Sequence, residues 1–274
     1  FAQAWGDGAM RYPSVSREQV SSLRNALRLL GLFHMDRPEL NVSEMAEELQ
    51  VGVSTAYRLA NTLLEEGFLV KDPHTRMYRL AASLMGMGQI IIARTELCRL
   101  SSEALMKLVE RSGETTHLAI VQDNQVFYLN KIDGEHPVYL MSHAGRKLPV
   151  HCTSTGQAII AFRPEEEIER LIAMGLPAYT RNTITDRERF RAKLEQIRKE
   201  GYALSVEELH EGVTSIAAPV RLPSGESVAS VSIAGPSRRI NRMSIPRLAR
   251  LVMEAAAEVS AKLADKRDGK RTGK

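Results

Sequence analysis

Three groups of side chains in this sequence have types and spacing suited to chemistry. His151-Cys152, with His117 and His210 elsewhere, offers a thiol and imidazoles, the parts of an activated nucleophile or of a metal site. No Cys-x-x-Cys or His-x-x-x-His spacing accompanies them, and neither a Walker loop nor a GxGxxG opening a helix after a strand occurs. The expectation is therefore no metal, no cofactor and no catalytic residue, with Cys152 a small buried side chain and the histidines structural groups or ligand donors. The second group is Ser54, Thr55, Tyr57, Arg58 and Asn61, whose hydroxyls, phenol, guanidinium and amide are the groups that reach phosphates and base edges in a major groove. The third is His151-Cys152-Thr153-Ser154-Thr155-Gly156, running into a helical pattern whose first N–H groups favour a carboxylate or phosphate. Spacing alone reads this run as a capping sequence.

The elements that would hold the second group follow from periodicity. Val20, Leu23, Leu27 and Leu30 recur at helical steps, predicting an amphipathic helix from Ser16 to about Met35 with that face inward. A short helix opens at Ser43 as N-cap and buries Met45, Ala46 and Leu49. Gly52 permits a sharp turn, and Ser54 caps a third helix with Ala56, Leu59, Ala60, Leu63 and Leu64 on its apolar face. Phe68–Val70 and Met77–Leu80 read as a hairpin bearing Lys71, Arg76 and Arg79, a wing able to touch the phosphate backbone. A small helical domain with inert polar residues, or a winged helix that binds protein, is the plainer alternative. The agreement of turn, caps and basic hairpin favours DNA.

Bulk composition is permissive. A length of 274 residues suits two domains, and 43% hydrophobic with 26% charged residues suits a globular protein. No apolar run approaches the roughly 20 residues that span a bilayer, and Phe1–Met10, set aside from the fold reading, lacks the pattern of a secretory signal, so the expectation is a cytoplasmic chain that does not enter a membrane. Two cysteines in separate apolar segments argue against a disulfide framework. The pI near 9.1 is less informative than it looks. Lys262–Lys274 holds six basic residues and two acids, which equals the whole net charge of +4, whereas Arg11–Leu80 has nine of each sign. The DNA case rests on pattern and not on net charge.

The segment NVSEMAEELQVGVSTAYRLANTLLEEGFLVKDPHTRMYRL, ending at Leu80, resembles the winged helix of IclR-family regulators. GRKLPVHCTSTGQAIIAF (Gly145–Phe162), EELHEGVTSIAAPV (Glu207–Val220) and SVASVSIAGP (Ser227–Pro236) resemble, in order, three segments of that family's effector domain. The resemblance covers about Ser16 to Ala264. It implies an α+β chain, a winged helix-turn-helix at 16–80, a helical linker at 81–99 and a GAF-like or profilin-like sensor domain with an antiparallel sheet at 100–264; the charge run beyond it reads as a basic disordered tail at 265–274. It also implies homodimers or dimers of dimers, a double-stranded operator, and repression of a metabolic operon relieved or tuned by a small organic-acid effector. A ligand-binding protein or allosteric enzyme using the winged helix for protein contacts is the alternative.

Within the sensor, a helix is predicted from Ala81 to about Val109, with Gly86 and Gly88 marking close packing or a bend. Thr116–Val121 and Gln125–Ile132 form a hairpin across Asp123-Asn124, and Val138–Ser142, Ile216–Arg221 and Val228–Ala234 are further strands. Helices are expected over Thr153–Phe162, Pro164–Met174 and Asp186–Glu200. The resemblance assigns the effector pocket to Leu140, Leu148, Ser154, Thr155, Glu207, Ser215 and Ser232, with Ala234 at its wall. Ala234 and Ser205 stand where some relatives present polar groups, which speaks against a glyoxylate-like or pyruvate-like ligand and leaves small organic, sugar and aromatic acids open.

Overall fold

The computed structural model describes residues 22–34, 37–135 and 147–271. The chain divides into two compact units, residues 1–91 and 92–274.

In the first unit the order is α1 (Ser22–Leu30), β1 (Glu39–Leu40), α2 (Val42–Leu49), α3 (Val53–Glu65), β2 (Leu69–Lys71) and β3 (Tyr78–Leu80). The strands form a small antiparallel sheet in the order β1-β3-β2. Leu29, Leu40, Met45, Ala56, Leu69 and Tyr78 meet in its core. The cap of α2 is Asn41 and not Ser43. Its Oδ1 accepts from the Glu44 N–H at 3.0 Å while its own N–H donates to the Glu44 carboxylate at 2.7 Å, a complete capping box. The chain reverses at Gln50, which takes the left-handed conformation at φ 56°; Gly52 is extended and serves as the N-cap of α3, with no side chain from Ser54 capping that helix. The predicted face of α1 is also corrected. Leu29 and Asn25 are buried, while Leu23 and Leu27 stand exposed. The inward stripe of so short a helix is set by where α2 and α3 lie, and periodicity cannot choose between two apolar stripes. Val20 and Met35 lie outside the described residues.

α4 (Leu84–Arg94) leads to α5 (Glu96–Ser112). The single helix predicted here is interrupted at Thr95, whose extended backbone caps α5. Gly86 and Gly88 lie inside α4, and a Cβ on either would meet nothing within 4 Å. Neither marks a close approach or the bend.

The second unit continues with β4 (Thr115–Gln122), β5 (Gln125–Ile132), β6 (Lys147–Pro149), α6 (Ser154–Ile160), α7 (Glu165–Ala173), α8 (Arg187–Glu200), β7 (Ala203–Val206), β8 (Val213–Arg221), β9 (Ser227–Pro236) and α9 (Ile245–Arg271). Its six strands form one sheet, β6-β5-β4-β9-β8-β7, with antiparallel neighbours throughout. Asp123 and Asn124 both take left-handed φ in the two-residue turn of the β4–β5 hairpin, as the strand twist requires. Side chains alternate across the sheet. Ile216, Ala218, Val231 and Ile233 pack with α5 and α9, whereas Ala119, Ala203 and Ala217 pack with Ala158 of α6 and with Phe190 and Leu194 of α8 on the other face.

The predicted helices at α6, α7 and α8 are present; β6, β7 and α9 were not foreseen. α9 runs to Arg271, so residues 265–271, assigned to a disordered tail, are helical, and Lys266 pairs with Glu96 on α5 at 2.7 Å. The expected strand Val138–Ser142 lies outside the described residues. No helix among them is long and apolar enough to cross a membrane.

Candidate functional site

The first candidate surface lies on α3. Burial of Ala56, Leu59, Ala60 and Leu63 fixes the rotation of the helix, and Ser54, Thr55, Tyr57 and Arg58 are consequently turned outward. Tyr57 is 47% exposed, a large aromatic held in water by its helix position. Asn61 is different. It is half-buried, and its Oδ1 accepts from the Tyr78 hydroxyl at 3.4 Å, which ties α3 to β3. The Lys71 ammonium lies 4.9 Å from the Tyr78 ring centroid and 6.0 Å from that of Tyr57, so the wing and the helix share one cationic edge.

The wing turn is closed by Asp72, whose Oδ1 accepts from the N–H groups of His74 and Thr75, both at 2.8 Å. These bonds from Thr75 and then His74 hold the Asp72 carboxyl below its usual range. Arg76 is exposed in the left-handed region at φ 61°, and its N–H donates to the Asp72 carbonyl at 2.9 Å. A guanidinium at a hairpin tip, on a turn held by these backbone bonds, can meet a phosphate with little backbone freedom to lose.

The second surface is a cleft in the second unit, about 480 Å³ including its open mouth, on the α6 side of the sheet. Its apolar walls are Tyr128, Leu148, Leu209, Val213 and Ala234, and its polar walls include His117, Ser205, His210 and Ser215. Of the residues assigned from sequence, Leu148, Ser215 and Ala234 line it. Leu140 lies outside the described residues. Ser154, Thr155 and Ser232 are each 1% exposed and, with half-buried Glu207, lie off the lining.

The reason is that Thr153 occupies the N-terminus of α6 itself. Its Oγ1 accepts from the Gly156 N–H at 3.2 Å and donates to the Pro149 carbonyl at 2.8 Å. All seven residues of α6 are buried, and a Cβ on Gly156 would overlap the Val150 backbone. The turn is thus packed inward, and Cys152 and Thr153 present the cleft wall in place of Ser154 and Thr155. Sequence reasoning weighed His117, Cys152 and His210 for catalysis and missed that all three line one cleft; the β4–β9 register sets His117 opposite Ser232, two residues before Ala234.

Burial sets the chemistry behind the cleft. Burial, reinforced by the Glu208 carboxylate, pushes the Cys152 thiol far up, which leaves it protonated and poorly nucleophilic. Glu208 is itself buried and shifted up by desolvation, against the opposing charge of Lys193 and a 2.7 Å bond from Gln157 Nε2. His151 is held below its usual value by burial, with Nε2 2.9 Å from the Pro177 carbonyl. Among the described residues there is no cluster of three His, Cys, Asp or Glu able to hold a metal.

A helix-turn-helix with a basic wing, followed by a six-stranded sensor-like sheet, is matched by two family descriptions: the IclR helix-turn-helix domain over residues 22–73 and the bacterial transcriptional regulator IclR C-terminal over residues 89–261. The chain belongs to the IclR family of transcriptional regulators. IclR-family relatives cover nearly the whole of it. The HTH-type transcriptional regulator XynR of Escherichia coli is 29% identical over 245 residues, 89% of this chain and 97% of its own. The transcriptional repressor IclR of Escherichia coli is 29% identical, covering 88% of this chain and 89% of its own. A crystal structure of an IclR homolog from Microbacterium hydrocarbonoxydans, complexed with 4-hydroxybenzoate, is 25% identical with a TM-score of 0.78, covering 89% of this chain and 99% of its own. As an IclR-family chain it is a DNA-binding, helix-turn-helix regulator of transcription.

Proposed function

We propose that this IclR-family chain is a ligand-responsive repressor, in which Ser54, Thr55, Tyr57 and Arg58 enter the major groove of an operator and Lys71 and Arg76 hold the phosphate backbone. The observation that carries the reading is the rotation of α3: four groove-reading side chains face outward at its first turns while Ala56, Leu59 and Ala60 lock the opposite face. Asn61 supports the helix through Tyr78 and contributes less to base contacts. The working division is a DNA-binding domain over 16–80, a linker over 81–99 and an effector domain over 100–264. Repression is taken from the E. coli relative's function, and a small organic acid from the acid bound to the Microbacterium homolog.

The cleft beside α6 receives the effector, with Leu148, Ser215 and Ala234 as its contacts. Two copies of the chain pair, as the exposed Leu23 and Leu27 of α1 and Met85, Met87 and Ile90 of α4 favour, since apolar side chains in a row are disfavoured in water. Such a dimer acts in the cytoplasm, where the operator is, and performs no catalysis; the protonated, buried Cys152 thiol supports that last point. Effector binding that favours one arrangement of the paired helices by 1–3 kcal/mol changes occupancy roughly 5–150-fold.

The test is equilibrium selection from a pool of genomic DNA fragments at physiological salt, with and without organic acids. Enrichment of one short palindromic site is expected. Failure to enrich any sequence would sink the regulator reading and favour a winged helix that binds protein.

A further inference from the structure

The last helix of the chain runs past the element it packs against. α9 and α5 lie antiparallel, as their ion pairs show: Arg111 meets Glu254 at 2.8 Å, Glu103 meets Lys262 at 2.8 Å and Glu96 meets Lys266 at 2.7 Å. Glu96 is the first residue of α5, so at Lys266 the partner ends while α9 continues to Arg271. The remaining residues carry its backbone about 8 Å beyond that pair. Up to this point one stripe of α9 is apolar and buried, through Val252, Ala256, Val259 and Leu263. Arg267 and Lys270 follow Leu263 by four and seven residues, so the helical repeat puts basic positions on or beside that stripe where α5 no longer runs.

The sequence changes character at the same place. Lys262 and Lys266 pair with Glu103, Glu258 and Glu96. From Arg267 to Lys274 there are four basic residues and one acid, Asp268, a net of +3. Arg267, Lys270 and Arg271 share an arc of about 100° on the helix, with Asp268 outside it; Lys274 lies outside the described residues. The sequence from Pro73 to Thr95 contains no Asp or Glu, so the stretch that enters α5 offers this end of α9 no counter-charge. The winged helix, in contrast, is electrically balanced, with nine residues of each sign over Arg11–Leu80. Sequence-independent affinity for duplex DNA comes from net neutralisation of phosphates, and a balanced domain supplies little of it.

We infer that the end of α9, with Arg267, Lys270, Arg271 and Lys274, is a second DNA contact that neutralises phosphates of the bound duplex without reading its sequence. The occupant is duplex DNA on three grounds. The chain carries an IclR helix-turn-helix domain, so DNA is already its partner. The basic end of α9 leaves the second unit beside Glu96, five residues after Ile91, where the first unit ends, so it starts close to the point at which the chain arrives from the DNA-binding unit. Its charge is also the term that the balanced winged helix lacks. Lysine and arginine on one helical arc bond phosphates and not base edges, so the contact adds affinity and salt dependence but no preference among sequences.

The experiment is fluorescence-anisotropy titration of the full-length protein with a labelled duplex of random sequence over a series of salt concentrations. Wild type is compared with a tail variant, Arg267→Gln/Lys270→Gln/Arg271→Gln/Lys274→Gln, and with a control that removes four exposed charges elsewhere, Arg181→Gln/Arg189→Gln/Lys199→Gln/Arg242→Gln. The tail variant should bind at least about tenfold more weakly at about 0.1 M salt, with the slope of log affinity against log salt about three lower, while the control keeps the wild-type slope. Lys270→Gln alone should lower the slope by about one, a readout that stands even where the fourfold variant folds poorly. An unchanged slope in the tail variant, with wild type bound, overturns the inference and leaves the winged helix as the DNA contact. Equal losses in tail variant and control overturn it too, since net charge and not contact then accounts for them. Tail-dependent binding to phosphatidylserine vesicles, with duplex affinity unmoved, assigns the stripe to a membrane surface and overturns it. Failure of wild type to bind any duplex overturns the DNA-binding reading itself and the inference with it.

Discussion

Gln157, in the middle of α6, donates from Nε2 to two acceptors, the Glu208 carboxylate at 2.7 Å and the His151 carbonyl at 2.8 Å. One amide thereby joins the turn before α6 to the segment carrying Leu209 and His210. Gln157→Ala would leave a buried carboxylate and a buried carbonyl without this donor. The expected cost is about 1–3 kcal/mol, read as a lower urea midpoint with an unchanged slope. An unchanged midpoint would mean that water replaces the amide.

Glu208 makes stability depend on pH in a definite direction. Desolvation raises its carboxyl in the folded state above the ordinary 4.5, with Lys193 and Gln157 opposing. The folded chain then holds the proton more tightly than the unfolded chain. Its contribution is fully present below the ordinary carboxyl value and is lost as pH rises through the folded-state value. Glu208→Gln removes the titration and keeps an acceptor for Gln157. The stability of this variant relative to the wild type should therefore grow as pH rises from acid toward neutral, in paired denaturation curves. A difference that stays flat across that range would contradict the assignment.

Gly156 permits the close approach of α6 to Val150. Adding a Cβ there meets backbone, which cannot move aside as a side-chain tip can. Gly156→Ala should cost about 1–3 kcal/mol or more and disturb the wall formed by Cys152 and Thr153. Thermal unfolding measures the first effect, and titration with a panel of small organic acids the second. Wild-type values in both would show that the turn relaxes freely.

Arg58 and Arg76 should differ in how they fail. On the proposed function Arg58→Ala should cost about 1–3 kcal/mol at one base pair. Arg76→Asn keeps a residue that tolerates left-handed φ while removing the charge. It should weaken all sequences alike and lower the salt slope by about one. Equal, sequence-independent losses from both variants would refute the division between helix and wing.

Local signals in the sequence carried far. The apolar spacing of Ala56, Leu59, Ala60 and Leu63 determined which face of α3 is outward, because a helix has one period and the buried stripe leaves one opposite face. Asp123-Asn124 determined a two-residue hairpin, because few residue pairs adopt two consecutive left-handed conformations. Together with the family motifs, these determined two units and a regulator of transcription. Tertiary structure decided what depends on partners distant in the chain. Leu23 and Leu27 are periodic but exposed, since α2 and α3 select the stripe containing Leu29. Ser154 and Thr155 precede an apolar run as ligand-binding hydroxyls would, yet close packing against Val150 and the Thr153 cap turn the start of α6 into the core. His117 joins Ser215 and Ala234 of the β8–β9 hairpin in one cleft only because β4 pairs with β9, a pairing between segments distant in the chain that no local periodicity encodes.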